Sequence, residues 1–222
     1  MKLHSKVSVL GAVCLLGTAL AVADTIQLGS YQTGGPNLGN NNTAVAFVGS
    51  PSTTFALNPG GAWTAAGPNS VWVSNNAGSG PTGGVVEAAS TYSYTTTFMT
   101  LAGNTYTGSI SILADDTASI IFNGHTLVAQ GALGSDAHCA DTTPSCLTPL
   151  LVTLPTADFL SGLNTLQFDV LQTVASTGLD FYGSATGIVG GAAIPEPSTL
   201  LLLGTGLIGS AGALLRRKQK LT

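Results

Sequence analysis

Between residues 91 and 98 the side chains change character at every step: Tyr92, Tyr94, Thr96 and Phe98 alternate with Ser93, Thr95 and Thr97. A period of two puts successive side chains on opposite faces and predicts a half-buried strand. Ser109–Leu113 and Ala118–Phe122 predict two more strands, joined through Asp115-Asp116. Asn123-Gly124 then separates Phe122 from the apolar Leu127-Val128. An Asn-Gly pair accepts the positive φ angles of a tight turn, so a hairpin is expected there. Leu150–Leu154 and Thr165–Val170 also read as strands, the latter with Leu166, Phe168 and Val170 on one face. Asp158–Leu160 predicts one helical turn before a bend at Gly162–Asn164. Gly29–Gly84 is rich in Gly, Asn, Pro and Ser, with strand-like pieces at Ala44–Val48 and Val71–Val73, and reads as long loops between edge strands. No long amphipathic helix can be drawn in this region, and no repeat of any period is present. Seven or more short strands between turn signals predict an all-β fold, an antiparallel β-sandwich of jelly-roll type.

Two apolar runs lie outside this pattern. Val7–Leu20 follows Lys2 and Lys6, and Ala21-Val22-Ala23 supplies small residues at −3 and −1. Residues 1–23 therefore read as a signal peptide, with Ala21 and Ala23 presented to signal peptidase and cleavage before Asp24. Cys14 sits inside the apolar run behind Val13, which is too large to precede a lipidated cysteine. At the other end come Pro195-Glu196-Pro197, the uncharged run Ser198–Leu215, and the cluster Arg216-Arg217-Lys218-Gln219-Lys220. A helix over 198–215 would rise about 27 Å, enough to span a hydrocarbon core of about 30 Å. Basic residues after it stay cytoplasmic, which places the preceding domain on the far side of the membrane.

The charge distribution sharpens the division. All six Lys and Arg residues lie in the two terminal segments; residues 24–193 hold eight Asp and one Glu and no cation, a charge of −9 with histidine neutral. Nucleic acid is excluded as a partner, because phosphate must be neutralised by cations. Neutral glycans, divalent cations and proteins stay open.

The ordered tail, over Ile194 to Lys220, resembles the PEP-CTERM sorting signal of Gram-negative bacteria. The resemblance implies a domain organisation of signal peptide (1–23), β-sandwich (24–193) and sorting signal (194–222). It also implies that the helix is a transient inner-membrane anchor and that an exosortase cuts near Pro195-Glu196-Pro197. A permanent single-pass anchor is the alternative. Within the core, Ser111-Ile112-Leu113-Ala114-Asp115-Asp116, then Ile121-Phe122-Asn123-Gly124, Phe159-Leu160-Ser161-Gly162-Leu163-Asn164-Thr165-Leu166 and Thr177-Gly178-Leu179 resemble galactose-binding-like jelly rolls. That scaffold hosts many unrelated roles, so it implies the fold rather than a ligand.

Candidate chemistry in the core is sparse. Cys139 and Cys146 are the cysteines left after signal cleavage, six residues apart in an exported domain, and read as a disulfide. Zinc held with His138 or His125 is the sharper alternative. Asp115 and Asp116 point to opposite faces if the strand is regular; if the segment turns, one of them with Asp136, Asp141 or Asp180 could hold calcium, against simple turn chemistry. No other cofactor is implied. Glu87 is the lone core glutamate, and Gly-x-Ser-x-Gly and glycine-rich phosphate loops are absent, so the chain does not read as an enzyme. Sugars stack on aromatic rings while polar side chains bind their hydroxyls. Trp63 and Trp72 are thus candidate glycan contacts, with Tyr31, Tyr92, Tyr94 and Tyr182 behind them, although two lone tryptophans equally suit a core. The expected product is a surface or extracellular-matrix protein, structural or adhesive, that binds neutral exopolysaccharide; a permanently anchored protein binding calcium or a partner protein is the alternative.

Overall fold

The computed structural model describes residues 23–35, 44–50, 52–132, 143–189 and 203–208. The strands among them are β1 (Asp24–Gly29), β2 (Ala46–Phe47), β3 (Phe55–Ala56), β4 (Val73–Ser74), β5 (Ser90–Thr100), β6 (Asn104–Asp115), β7 (Thr117–Phe122), β8 (His125–Val128), β9 (Leu150–Leu154), β10 (Gly162–Gln172) and β11 (Gly178–Val189). Every pairing is antiparallel. One sheet runs β3-β4-β11-β6-β9, with β1 also on β11; the other runs β2-β5-β10-β7-β8. The fold is an all-β antiparallel sandwich, and the sandwich unit spans Val22–Gly190.

Alternation decides which side chains enter the core. In β5 and β10 the residues Tyr94, Phe98, Leu166, Phe168 and Val170 are buried, while Ser93, Thr95, Thr97, Thr165, Gln167 and Asp169 on the other face are partly exposed. The first sheet contributes Ile26, Leu28, Ile110, Ile112, Leu179 and Phe181 to the same core. Phe168 and Phe181 join the two sheets, their ring centroids 4.6 Å apart. Each such side chain contributes about 1.5–3 kcal/mol by leaving water.

The hairpin expected at Asn123-Gly124 joins β7 to β8, with φ of 49° at Asn123 and 85° at Gly124. The expected helical turn is a 3-10 turn at Thr156–Asp158, two residues earlier than its sequence position. Three strands have no counterpart in the sequence reading: β1, the two-residue β3 and the twelve-residue β11. β11 is a central strand although glycines interrupt its pattern. A Cβ at Gly183 would stand 2.1 Å from the Ser109 carbonyl oxygen, so the backbones pack too closely there for any side chain.

The segment read as loops between edge strands does more than connect. Alternation along β6 sends Ile112 and Ala114 into the core and Leu113 and Asp115 to the outer face of the sheet. Residues 57–72 fold over that outer face, so that Leu57, Trp63, Trp72, Leu113 and Cys146 form a second apolar cluster. The indole ring centroids of Trp63 and Trp72 are 4.4 Å apart. Residues 203–208 are helical, with Leu203, Leu207 and Ile208 exposed. No helix among the described residues is long and apolar enough to cross a membrane, and most of 198–215 lies outside them.

Candidate functional site

The wrapped segment is fastened by two carboxylates. Trp63 Nε1 donates to Asp115 Oδ2 at 2.8 Å. Asp180, on β11, accepts from the Gly67 amide through Oδ2 at 2.9 Å and from Ser30 Oγ through Oδ1 at 2.9 Å. Burial pushes the Asp180 carboxyl above its ordinary range, and hydrogen bonds from Ser70, Gly67 and Ser30 pull it back down. Trp72 Nε1 donates to the Thr64 carbonyl at 2.9 Å. Both tryptophans, candidate glycan contacts by sequence, are buried in this cluster and present no ring face to solvent.

Asp115 and Asp116 do not converge. Asp116 accepts through Oδ2 from the Thr173 amide at 2.8 Å and from Thr173 Oγ1 at 2.7 Å. Its amide donates to the Leu171 carbonyl, which continues the β7–β10 register by one step and sets Asp116 opposite Gln172. Asp116 Oδ1, Thr117 Oγ1 and both amide atoms of Gln172 are buried with no partner among the described residues. No group of three or more His, Cys, Asp or Glu capable of holding a metal occurs among the described residues; Asp136, His138, Cys139 and Asp141 lie outside them. Cys146 is buried beside the tryptophans and its sulfur is engaged rather than free. His125 is exposed and faces Asp158 at 3.6 Å. Glu87 accepts from Ser79 Oγ at 2.6 Å and Asn75 Nδ2 at 3.1 Å, which holds the 75–87 loop together.

Among the aromatic candidates, Tyr94 is in the core and Tyr92 bonds the Ala88 carbonyl. Tyr182 differs. It points from β11 onto the outer face of the first sheet, half-buried, with its ring seated over Gly67, where a Cβ would stand 1.9 Å from the ring. Register places Ser111 opposite Tyr182, Ser109 opposite Ser184, and Gln27 on the other side of Ser184. This is a neutral strip of hydroxyl and amide groups with one aromatic ring at its end. Sequence reasoning grouped Tyr182 with the other aromatic residues but could not find the strip, because β1 and β11 were not read as strands.

Ala23 and Asp24 are described, whereas Ala21 lies outside the described residues, as do Pro195, Glu196, Pro197, Arg216, Arg217 and Lys218. A family model for the PEP-CTERM protein-sorting motif matches residues 193–218. The chain thus carries the motif, which marks an exported protein processed at the membrane; the match covers the tail alone. No curated protein matches the chain. Among solved structures, the chain is similar to a family 35 carbohydrate-binding module from Clostridium thermocellum, at 10% identity and a TM-score of 0.38, over 72% of this chain and 97% of that one. It is also similar to the CBM36-1 domain of a multidomain xylanase from the hindgut metagenome of Trinervitermes trinervoides, at 15% identity and a TM-score of 0.28, over 69% and 100%.

Proposed function

We propose that this chain is a non-catalytic surface or extracellular-matrix protein, structural or adhesive in role, delivered by an exosortase-type system. The observation that carries this reading is the match of 193–218 to the sorting motif, directly after a β-sandwich free of cations. Signal peptidase removes 1–23, the helix over 198–215 holds the precursor in the inner membrane, and the exosortase cuts near Pro195-Glu196-Pro197. A disulfide between Cys139 and Cys146 belongs to the same reading, supported by the engaged sulfur of Cys146 and the export route. The intact mass of the protein recovered from its host tests the sorting: loss of everything beyond about Pro197 is expected, and a mass that still includes Arg216–Thr222 would replace the transient anchor with a permanent one.

The ligand class we assign is neutral glycan, bound on the strip headed by Tyr182 with Gln27, Ser111 and Ser184. A carbohydrate ring can stack on the phenol while these uncharged groups bond its hydroxyls. Co-sedimentation with neutral exopolysaccharide should weaken about tenfold on Tyr182→Ala, the loss expected of one stacking contact. Equal binding by the variant would move the site elsewhere.

A second reading has its own observation. Asp116 Oδ1 and the Gln172 amide oxygen, on residues the register sets opposite each other, are both buried with no partner among the described residues, and calcium prefers oxygen donors of this kind. If calcium binds there, millimolar calcium should raise the melting temperature, chelation should lower it, and Asp116→Asn should abolish the difference; identical melting curves with calcium and with chelator would remove the reading.

A further inference from the structure

Strand ends gather an apolar surface at one end of the sandwich. β5 ends at Thr100, and the turn to β6 is closed by the Asn104 amide donating to the Leu101 carbonyl. Leu163 lies opposite Met99 on the outer face of the second sheet. Leu160 is tied to the same place, because Thr100 Oγ1 donates to its carbonyl at 2.6 Å. Val189, the last residue of β11, pairs with Asn104, which brings the carboxyl end of the domain to this turn. The exposures are 42% for Met99, 60% for Leu101, 55% for Leu160, 57% for Leu163 and 48% for Val189. Five apolar side chains thus stand out from one end of the domain.

The carboxylates near this end are already engaged. Asp24 accepts from the Tyr106 hydroxyl at 2.5 Å, and that hydroxyl in turn accepts the Leu101 amide. Asp158 faces His125. Residues 24–193 contain no Lys or Arg, so this end carries no basic cluster to be drawn to anionic head groups, and its approach to lipid is mainly apolar. The sorting motif begins four residues beyond Val189 and the apolar run nine residues beyond it. Nine residues reach at most about 32 Å, so a bilayer holding that run is never far from this end.

We infer that this end, formed by Met99, Leu101, Leu160, Leu163 and Val189, is a lipid-contacting surface that rests on the bilayer in which the precursor is held. The inference rests on the anchored-precursor reading above. Contact there would hold the domain at the membrane by the end at which β11 leaves it, the side on which a membrane-embedded processing enzyme acts.

The full-length precursor in vesicles containing brominated lipid provides the test, with single tryptophans introduced as depth probes. Leu101→Trp and Leu160→Trp report the proposed surface, Val86→Trp reports the opposite end, and Leu207→Trp reports the tail. The native Trp63 lies by Asp115, at the far end of β6 and about 36 Å along the strand from Asn104, so it supplies an unquenched baseline. Loss of the added emission is expected for Leu101→Trp, Leu160→Trp and Leu207→Trp, with none for Val86→Trp. Quenching of Leu207→Trp alone would overturn the lipid contact and leave the anchor standing. Emission of Leu207→Trp unaffected by bromolipid would overturn the anchored reading itself, and the contact with it. Quenching at Val86 as well would also overturn the proposal, because the domain would then be meeting lipid without a preferred end.

Discussion

Asp180 shows how a single buried carboxylate can organise a long stretch of chain. Its two oxygens serve two different donors, the Gly67 amide and the Ser30 hydroxyl, so an amide in its place would turn a donor toward a donor. Asp180→Asn is expected to cost about 1–3 kcal/mol in denaturant unfolding. The pH dependence has a fixed sign. Because burial raises the folded-state value, the folded protein binds this proton more tightly than the unfolded chain does. Asp180 therefore stabilises most at pH below its unfolded value of 3.8, and that contribution is lost as pH rises through the folded one. The stability gap between wild type and Asp180→Asn should shrink as pH rises out of the acid range; a gap that widens would contradict the burial. Asn164 is the other residue on which much depends. It is fully buried, accepts from the Leu160 amide and Asn123 Nδ2, and donates to Thr100 Oγ1 and two carbonyls. Asn164→Leu leaves those groups unmet and should cost at least about 2 kcal/mol, measured in the same unfolding experiment.

At the scale of elements, β11 is the sternest test of the fold. Gly183→Ala would drive a methyl group into the backbone of β6, at a cost of about 3 kcal/mol, or about 6–12 °C in melting temperature by circular dichroism. The same glycines explain why the strand was not legible. Gly178, Gly183 and Gly187 break the alternation that made β5 and β10 plain from sequence. Gly183 and Gly187 record close approach to β6 and to the Tyr106 ring, about 75–80 positions away, and Gly178 records close approach to the Trp63 and Trp72 rings, which lie still further off in sequence. The Asn123-Gly124 hairpin was legible because its signal is local. The role of residues 57–72 was not, since Gly, Pro and Asn announce a loop and say nothing of where it lies. Trp63 finds Asp115 52 residues away and Gly67 finds Asp180 113 residues away, and no window of sequence contains either pair. The neutral strip headed by Tyr182 escaped for the same reason: it is assembled from β1, β6 and β11, two of which carry no clean period.

At the scale of the molecule, the absence of Lys and Arg from residues 24–193 makes the sandwich an acidic body with no ion pair among its described residues except His125–Asp158. Its stability rests on apolar packing and neutral hydrogen bonds, so moderate salt should shift its melting temperature little, and only upward as repulsion among carboxylates is screened. Charge is the clearest whole-chain signal in the sequence, since confinement of every Lys and Arg to the ends is enough to mark off the two terminal segments. The antiparallel pairing of β11 has a mechanical consequence. Whatever the protein is tethered to beyond Val189 pulls on the end of a central strand, along its own axis. Twelve register pairs with β6 and six with β1 flank that strand. Their hydrogen bonds lie across the direction of pull and are loaded together, in shear, instead of being peeled apart one after another. Under any load applied beyond Val189, the strand that takes the pull first is also the one most fully clasped.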